Sequence, residues 1–322
     1  LTEHKLLKKI KLRGFIFSRI NYLLIFLFTV YPLYRLIKKE EPKYIIAHLL
    51  TSVPMFLFSL INFKTKLIIR VSGLIKFNIF NKIFWNFSIK KINLIFSPTI
   101  DSLNDLRKKF SSYENKIFLL RDPIISISKV HKESLEKCIL DKNYYIAIGR
   151  LTKQKNFILL CEAVKELKYT YKKNLLIKIL GDGEEKDKIL SYIKANNIEE
   201  NIKLLGYKKN VFKYLKKAKA LISTSLWEDP GFFLIEAGSL NIPVICSDCP
   251  NGPREILNNG KNGYLYKSNS KKELVNTINI FEKDDPEQIY TKKLNLKKMT
   301  KNFTLFNHAE VLLNYLDERK KN

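Results

Sequence analysis

Cysteine is scarce in this sequence, and its four cysteines give no disulfide framework for a chain of 322 residues. This scarcity predicts a protein of the reducing cytoplasm. Cys246 and Cys249 have the spacing of a metal-binding pair, but the sequence offers neither a second pair nor a histidine partner to complete a zinc site. We therefore expect Cys246 to be a buried residue at a strand end and Cys249 to be a loop residue.

Acidic residues are also few, since 31 Asp and Glu stand against 58 Lys and Arg and give a formal net charge of +27. Such a balance is typical of proteins that bind nucleic acid, anionic membrane surfaces or phosphorylated substrates. Most of the basic residues are lysines, and Ile, Asn, Phe and Tyr are abundant, which is also the signature of an AT-rich genome. The sequence has no arginine-rich block and no RNA-binding aromatic signature, so we expect no nucleic-acid partner.

The strongest hydrophobic run, residues 22–34, is too short to cross a bilayer. As a helix it would span about 20 Å, against a hydrocarbon layer of about 30 Å, and Pro32 interrupts it. We expect a helix that is buried against a sheet. The alternative is a peripheral membrane surface that presses Phe and Leu into lipid beneath basic residues. Those basic residues would be Lys11, Arg13, Arg19 and Lys38.

The sequence does contain a repeated alternation of predicted strands and helices. Its length allows two domains, and hydrophobic residues make up 46% of it, which is enough to form their cores. Apolar runs predict buried parallel strands at 44–47, 66–71, 94–96, 116–119, 144–148, 175–180, 202–205, 218–223, after Pro243 and at 264–266. The pattern predicts an α/β fold with a first domain over 1–135, a second domain over 136–304 and a final helix within 305–322. The residues from 123 to about 142 are interpreted as the link between the domains.

Two strand ends carry residues suited to ligand binding. Arg150 and Lys155 lie in the loop between the strand at 144–148 and the next helix. Two cations beside the free N–H groups of a helix start suit a diphosphate. His48 falls just past the end of an earlier strand, at the edge where open α/β sheets bind ligands.

Residues 225–257 are interpreted as the end of a buried strand, a loop, a helix, a second strand and a second loop. Glu228 precedes the helix, and Glu236 follows eight residues later. The Asp-Pro pair at 229–230 predicts the helix start, because Asp accepts orphan N–H groups and Pro fits the first turn. Gly231 would admit an anion close to the backbone at the positive end of the helix dipole. Two carboxylates around an anion-binding turn suit a sugar nucleotide.

The same residues resemble a known family. EDPGFFLIE at 228–236 is similar to the E-x7-E motif of retaining glycosyltransferases with the GT-B fold, in the family 4 group. The following SDCPNGPREI resembles a loop of bacterial members that build surface polysaccharides. GRLTKQKN at 149–156 resembles the family's phosphate-binding loop, and GDGE at 181–184 resembles its turn near the nucleotide. The resemblance covers about residues 40–320 and implies two Rossmann-like domains that face each other across a cleft. It also implies that the first domain is incomplete and that the helix within 305–322 crosses back onto it.

The resemblance also implies roles for individual residues. Glu228 would hold sugar hydroxyls, Arg150 and Lys155 would contact the donor diphosphate, and His48 would face the donor sugar. Glu236 would hold the ribose hydroxyls. The other implied donor-binding positions are Gly231, Phe232, Phe233, Gly181, Gly183 and Tyr207.

The implied reaction is transfer of a sugar, with retention of configuration, from a UDP-hexose or UDP-N-acetylhexosamine to a glycan or polyprenyl-linked acceptor. Such a reaction serves polysaccharide or lipopolysaccharide biosynthesis, in the cytoplasm or on the inner face of the plasma membrane. No Asp-x-Asp pair is placed at a strand end, so fixed cations and helix dipoles would neutralise the leaving diphosphate. We expect no metal and no other cofactor.

Two alternatives stay open. One is a GT-B enzyme of different chemistry, such as a sugar-nucleotide epimerase or a phosphorylase; the other is a non-catalytic nucleotide-sugar-binding protein or a basic membrane adaptor. The sequence departs from the family at its start. Family members open with a strand and a glycine-rich loop, whereas the first forty residues here contain one glycine, Gly14, and begin at Leu1. We therefore expect the chain to lack its true N-terminus.

Overall fold

The computed structural model describes residues 15–49, 51–73, 75, 78–138 and 143–318. They form two compact units. The first contains the described residues up to Pro98 together with Ser102–Leu119, and the second contains Thr99–Asp101 and the described residues from Leu120 onward. The predicted α/β architecture with two parallel-sheet domains is confirmed.

The first unit is built on four parallel strands. They are β1 (Tyr44–His48), β2 (Lys66–Arg70), β3 (Leu94–Ser97) and β4 (Ile117–Leu119), hydrogen-bonded in the order β1-β2-β3-β4. The helices are α1 (Phe15–Glu40), α2 (Ser52–Leu60), α3 (Ile79–Ser88) and α4 (Ile100–Lys109), of which Ile100 and Asp101 belong to the second unit. The apolar runs of β2 and β3 are buried, as expected for strands covered on both faces.

Helix α1 runs through Pro32 without a break, so the predicted interruption is wrong. A proline inside a helix removes one backbone hydrogen bond and costs about 3 kcal/mol. Packing of the same helix outweighs that cost: Val30, Leu33 and Tyr34 lie against the core of the first unit, and Ile37 is fully buried in it. The helix is thus buried along one side, as expected.

The other side of α1 leaves Phe28, Tyr31 and Leu36 exposed. Of the basic residues expected to flank it, Lys11 and Arg13 and the side chain of Arg19 lie outside the described residues. Over the described part of the chain, no helix combines the length and the apolar character needed to cross a bilayer.

The second unit has six parallel strands. They are β5 (Tyr145–Ile148), β6 (Ile177–Leu180), β7 (Ile202–Leu204), β8 (Ala220–Ser223), β9 (Val244–Asp248) and β10 (Tyr264–Lys267). The hydrogen-bonded order is β7-β6-β5-β8-β9-β10, the doubly wound order in which the chain reverses its direction of travel between β5 and β8. The ends of the strands in both units agree with the predicted limits to within two residues.

Helices cover both faces of the second sheet. They are α5 (Ile127–Ser134), α6 (Phe157–Tyr169), α7 (Lys186–Ala195), α8 (Phe212–Leu215), α9 (Phe232–Ser239), α10 (Pro253–Ile256), α11 (Lys271–Lys283), α12 (Pro286–Thr300) and α13 (Leu305–Glu318). Tyr145 and Ala147 of β5 enter one core and Ile146 enters the other, because successive side chains of a strand point to opposite faces.

Residues 123–138, which belong to the predicted inter-domain link, are part of the second unit. Helix α5 packs against α8, and Ile125 and Val130 belong to a core of the second unit. The division between the units therefore falls before α5, earlier than the boundary at residue 135 that the sequence predicts. The prediction that 305–322 crosses back to the first domain stays a prediction.

Cys246 and Cys249, which have the spacing of a metal-binding pair, are part of the packed interior of the second unit. Cys246 is a buried residue of β9 and Cys249 lies in the loop after it, as predicted. Cys249 is buried as well, which the sequence did not predict, and both thiols are free. Burial raises the pKa of the Cys249 thiol to about 12, so this thiol stays protonated at neutral pH.

Candidate active site

A buried ion pair marks the point where the second sheet reverses. The Lys155 Nζ donates a hydrogen bond to Oε1 of Glu228 over 2.6 Å, and the two side chains are 13% and 5% exposed. Lys155 closes the loop after β5, and Glu228 lies in the loop after β8. Because these strands are neighbours at the switch point, their loops meet at the carboxyl edge of the sheet.

Three further hydrogen bonds join the same two loops. The Leu226 N–H donates to the Gln154 carbonyl over 2.8 Å, and the Gln154 side-chain amide donates to the Trp227 carbonyl over 2.9 Å. The Thr224 hydroxyl donates to the Lys155 carbonyl over 2.8 Å. These bonds fix the main chain on both sides of the ion pair, so the geometry of the pair is set by the loops that carry it.

The Lys155 side chain is also held by its apolar surroundings. Its Nζ lies 4.5 Å from the centre of the Phe233 ring, a cation–π contact. Its stem covers Gly149, where an added Cβ would lie 2.9 Å from the Lys155 Cε. Gly149 and Phe233 therefore both contact the Lys155 side chain, whose Nζ bonds to Glu228.

Helix α9 begins at Phe232, and the predicted start at Asp229–Pro230 is wrong. Gly231 is the N-cap residue and adopts φ +97°, a backbone conformation that favours glycine. This left-handed turn separates the Asp-Pro pair from the helix. Instead of capping α9, Asp229 Oδ1 accepts a hydrogen bond from the side chain of Asn251 over 3.3 Å.

The first turn of α9 supplies anion-binding potential beside the ion pair. The N–H groups of a first helical turn have no helical carbonyl to bond, and the helix dipole places partial positive charge there. The Phe232 side chain is exposed, whereas that of Phe233 is buried. Phe232 therefore contributes backbone at this site, and Phe233 packs beneath Lys155.

Gly181 and Gly183 bring the neighbouring loops into backbone contact. A Cβ at Gly181 would overlap the carbonyl oxygen of Gly149, and one at Gly183 would lie 2.5 Å from the carbonyl oxygen of Leu151. The Gly181 N–H donates to the Gly206 carbonyl over 3.0 Å. The absence of side chains at these positions thus lets the loops after β5, β6 and β7 form one continuous floor, a packing role that their resemblance to a nucleotide turn does not reveal.

Arg150 and Tyr207 present exposed side chains at the same edge of the sheet. Arg150 follows β5 directly, and Tyr207 follows Gly206 in the loop after β7. Within the described part of the chain, neither side chain forms a hydrogen bond or an ion pair with another side chain. An exposed guanidinium without an acidic neighbour is available for a phosphate.

Glu236 lies on the second turn of α9 and is half-buried. Burial raises the pKa of its carboxyl above the usual range, with a smaller opposing contribution from Lys129 and a further raising one from Glu133. Both neighbours line a cavity of about 660 Å³ in the second unit. Its lining residues are Ser128, Lys129, Lys132, Glu133, Glu136, Lys208, Lys209, Asn210, Lys213 and Tyr214. Two residues that shift the pKa of the predicted ribose carboxylate thus line this cavity, which also borders the chain after Tyr207.

His48 belongs to the first unit. It is the last residue of β1, it is exposed, and it stands opposite Arg70 of β2 in the strand register. The prediction that His48 faces the donor sugar stays a prediction.

Asn251 is a site residue that the sequence analysis missed. Its buried side-chain amide donates to the Glu228 carbonyl over 3.1 Å, and its N–H donates to the Asp101 carboxylate over 3.0 Å. It therefore anchors the main chain of Glu228 from the loop after β9. The signal was present in the SDCPNGPREI loop, but an asparagine next to Pro and Gly is also what an ordinary turn requires.

Comparison with known proteins places the chain among glycosyltransferases. The model of the family "Glycosyl transferases group 1" matches residues 132–302. An uncharacterised glycosyltransferase of Methanocaldococcus jannaschii is 34% identical over 248 residues, which cover 70% of this chain and 61% of that protein. An N-acetylgalactosamine-N,N'-diacetylbacillosaminyl-diphospho-undecaprenol 4-alpha-N-acetylgalactosaminyltransferase of Campylobacter jejuni is 30% identical over 205 residues, 64% of this chain and 55% of that protein. The chain thus spans less than two thirds of these curated relatives.

Solved structures share the fold. A glycosyltransferase from Rickettsia africae superposes with a TM-score of 0.75 at 16% identity, covering 97% of this chain and 85% of that one. Anabaena HepE in complex with UDP superposes with a TM-score of 0.74 at 17% identity, covering 90% and 82%. Because the family model matches more than half of its residues, the chain belongs to the glycosyl transferases group 1 family.

Proposed function

We propose that the protein transfers a sugar from a nucleotide-sugar donor to a glycan or lipid-linked acceptor, as a retaining member of the family 4 group. The observation that carries the proposal is the buried Lys155–Glu228 pair at the switch point of the second sheet. Arg150 is exposed at the same sheet edge, and the first turn of α9 lies next to Glu228. A carboxylate for sugar hydroxyls thus stands beside cations and a helix N-terminus for a diphosphate.

These groups match the charge that the reaction develops. Cleavage of the bond between the anomeric carbon and the phosphate oxygen leaves the electron pair, and hence negative charge, on the nucleoside diphosphate. Lys155 has three N–H donors, so it can keep its bond to Glu228 and donate to a phosphate oxygen as well. Arg150 supplies a second fixed cation. We propose that these two cations make a metal ion unnecessary.

The acceptor hydroxyl attacks the anomeric carbon from the face that the phosphate leaves, and its proton passes to the departing phosphate oxygen. This course retains the configuration and requires no protein nucleophile. Glu228 is therefore proposed to hold the sugar, with His48 of the first unit facing the same sugar.

The nucleoside half of the donor is assigned to the loops after β6 and β7 and to Glu236. Glu236 would accept hydrogen bonds from the ribose hydroxyls, and Tyr207 would lie near the base. We propose a UDP-linked hexose or N-acetylhexosamine, since the Anabaena relative was solved with UDP and the Campylobacter relative transfers N-acetylgalactosamine. The latter protein's diphospho-undecaprenol acceptor supports a polyprenyl-linked acceptor here, at the cytoplasmic face of a membrane, in surface polysaccharide or lipopolysaccharide synthesis.

Calorimetric titration with UDP in EDTA tests the donor site. We expect UDP to bind without metal and more tightly than ADP or GDP. Arg150→Ala should weaken binding at least tenfold, which is about 1.4 kcal/mol, because it removes an exposed guanidinium from the diphosphate. Lys153→Ala is the matched control, since Lys153 is an exposed cation of the same loop with no proposed role.

The proposal is contradicted if wild-type protein binds no UDP, or binds it only with a divalent metal. If the Arg150 and Lys153 variants lose UDP affinity equally, UDP binding depends only on the net charge of the loop. NMR of the anomeric proton in the product distinguishes retention from inversion, and donor binding without transfer would favour a non-catalytic sugar-nucleotide-binding protein.

Glu236→Gln is expected to weaken UDP binding and yet to stabilise the protein at neutral pH. The raised pKa means that the folded state binds a proton more readily than the unfolded state, so ionisation costs stability as pH rises from about 4.5 through the folded-state pKa. Glutamine removes this cost but also the charged acceptor for the ribose hydroxyls. The melting temperature of the variant should exceed that of wild type at pH 7, with the difference shrinking towards pH 4. The exposed Glu200 gives the control Glu200→Gln, which should change neither property.

A further inference from the structure

Helix α3 of the first unit is apolar on the side that faces water. Its inner side is the buried one and includes Trp85, which stacks on Phe110. The outer side carries four large apolar side chains with most of their surface exposed, namely Ile79 at 77%, Phe80 at 83%, Ile83 at 62% and Phe87 at 59%.

The spacing of these residues makes them one surface. Positions 79, 80, 83 and 87 fall within an arc of about 100° on a helix of 3.6 residues per turn, and Trp85 points away from that arc. A surface helix normally keeps its apolar residues on the side that faces the core, whereas α3 has apolar residues on its outer side as well. We call these four side chains the α3 outer face. Single exposed apolar residues are ordinary, whereas a contiguous group of this kind indicates an interaction surface.

The charge around the α3 outer face has one sign. From Pro42 to Ile100 the sequence contains no Asp or Glu and has eight Lys and Arg residues. Lys82 is the only charged residue on α3, and Lys90 and Lys91 follow α3 after Ile89; all three lysines are exposed. An apolar helix face in an acid-free, lysine-bearing region matches an anionic lipid surface, where apolar side chains enter the acyl boundary and lysines stay among the headgroups.

The same charge argues against a second copy of this chain as the occupant. A two-fold symmetric interface brings the same patch of both subunits together. Here it would place the lysines near each α3 outer face against their own equivalents, with no acidic residue of that region to offset them. A bilayer that contains anionic lipid supplies both the apolar phase and the opposite charge.

We propose that the α3 outer face docks the protein on an anionic membrane, with α3 lying in the plane of the surface. This inference rests on the proposed function, which includes peripheral contact with a membrane. It assigns that contact to α3 rather than to residues 22–34. Membrane docking requires neither the sugar-nucleotide donor nor sugar transfer. Vesicle binding can therefore fail while UDP binding succeeds, and the reverse, so the two proposals are tested separately.

Co-sedimentation of the full chain with phospholipid vesicles is the test. Wild-type protein should bind vesicles of phosphatidylglycerol and phosphatidylcholine, and bind pure phosphatidylcholine much more weakly. Phe80→Ser with Phe87→Ser should reduce binding to the anionic vesicles at least tenfold. The control is Phe306→Ser, because Phe306 is a phenylalanine of the second unit with similar exposure, 78%. Circular dichroism of each variant checks that the fold is kept, as expected for exposed positions.

A second pair of measurements separates charge from apolar contact. Lys82→Glu should weaken binding to anionic vesicles, and rising salt should weaken wild-type binding. The inference is overturned if wild type does not bind, if the double phenylalanine variant binds as wild type does, or if both lipid compositions are bound equally. Gel filtration that shows a wild-type dimer and a monomeric double variant would also overturn it, in favour of a second copy.

Discussion

Lys155→Ala is expected to lower the free energy of unfolding of the second unit by about 3–5 kcal/mol and to abolish UDP binding. Glu228 would remain with its side chain 5% exposed and without the ammonium that bonds it over 2.6 Å. An uncompensated buried carboxylate is much costlier than the loss of a surface pair. For a unit of this size the melting temperature should fall by roughly 10 °C, and thermal unfolding followed by circular dichroism measures it.

An exposed ion pair of the same unit provides the comparison. Lys271 and Glu166 lie 2.9 Å apart with side chains 46% and 25% exposed. Lys271→Ala should therefore cost less than about 1 kcal/mol. If the Lys155 and Lys271 variants lose the same stability, the buried pair does not have the energetic role that its burial implies.

A double-mutant cycle separates the fold from the function of this pair. Lys155→Met with Glu228→Gln removes both charges at nearly constant volume, so the double variant should be more stable than the sum of the single losses by about 0.5–3 kcal/mol. UDP binding should nevertheless stay lost, because no cation remains at this position for the diphosphate. A double variant that binds UDP like wild type would show that the pair serves packing alone.

The sequence predicts the members of this site better than their arrangement. Lys155 and Glu228 each follow a strand, and parallel strands present their carboxyl ends at one edge, so both could be proposed as ligand-binding residues. Their direct contact depends on β8 pairing with β5 rather than with β7. Strand order is a property of tertiary packing, and the alternation of strands and helices alone does not encode it.

At several positions the local sequence preference and the tertiary contacts favour different structures. Asp229–Pro230 is a good helix start by itself, yet the helix begins two residues later because Gly231 turns the chain and Asn251 binds Asp229. Pro32 is a helix breaker in isolation, but the contacts of α1 with the core of the first unit carry the helix through it. The environment of Glu236 was missed because residues 123–142 read as a link, whereas α5 brings Lys129 and Glu133 to it.

Gly181→Ala is the second substitution with a large expected effect, although it changes no charged or catalytic group. A Cβ at Gly181 would overlap the Gly149 carbonyl oxygen, and both positions are backbone that has no rotamer to relieve the clash. Overpacking of this kind costs about 1–3 kcal/mol, and occasionally more. The loop after β5 must then move away from the loop after β6, and the Gly149 N–H bond to the Leu180 carbonyl, 3.0 Å long, weakens with it.

The loss of UDP affinity should be larger than the loss of stability alone would cause, because Arg150 and Lys155 both belong to the displaced loop. Positioned groups lose much of their effect when they shift by about 1 Å, so we expect UDP affinity to fall at least tenfold. Gly260→Ala is the control: Gly260 also has a positive φ, +89°, but nothing lies within 4 Å of its added Cβ. It should show only the cost of about 1–2 kcal/mol for a left-handed alanine, with unchanged UDP affinity. If the two variants behave alike in UDP titration, backbone strain rather than the contact between the two loops explains the conformation at Gly181.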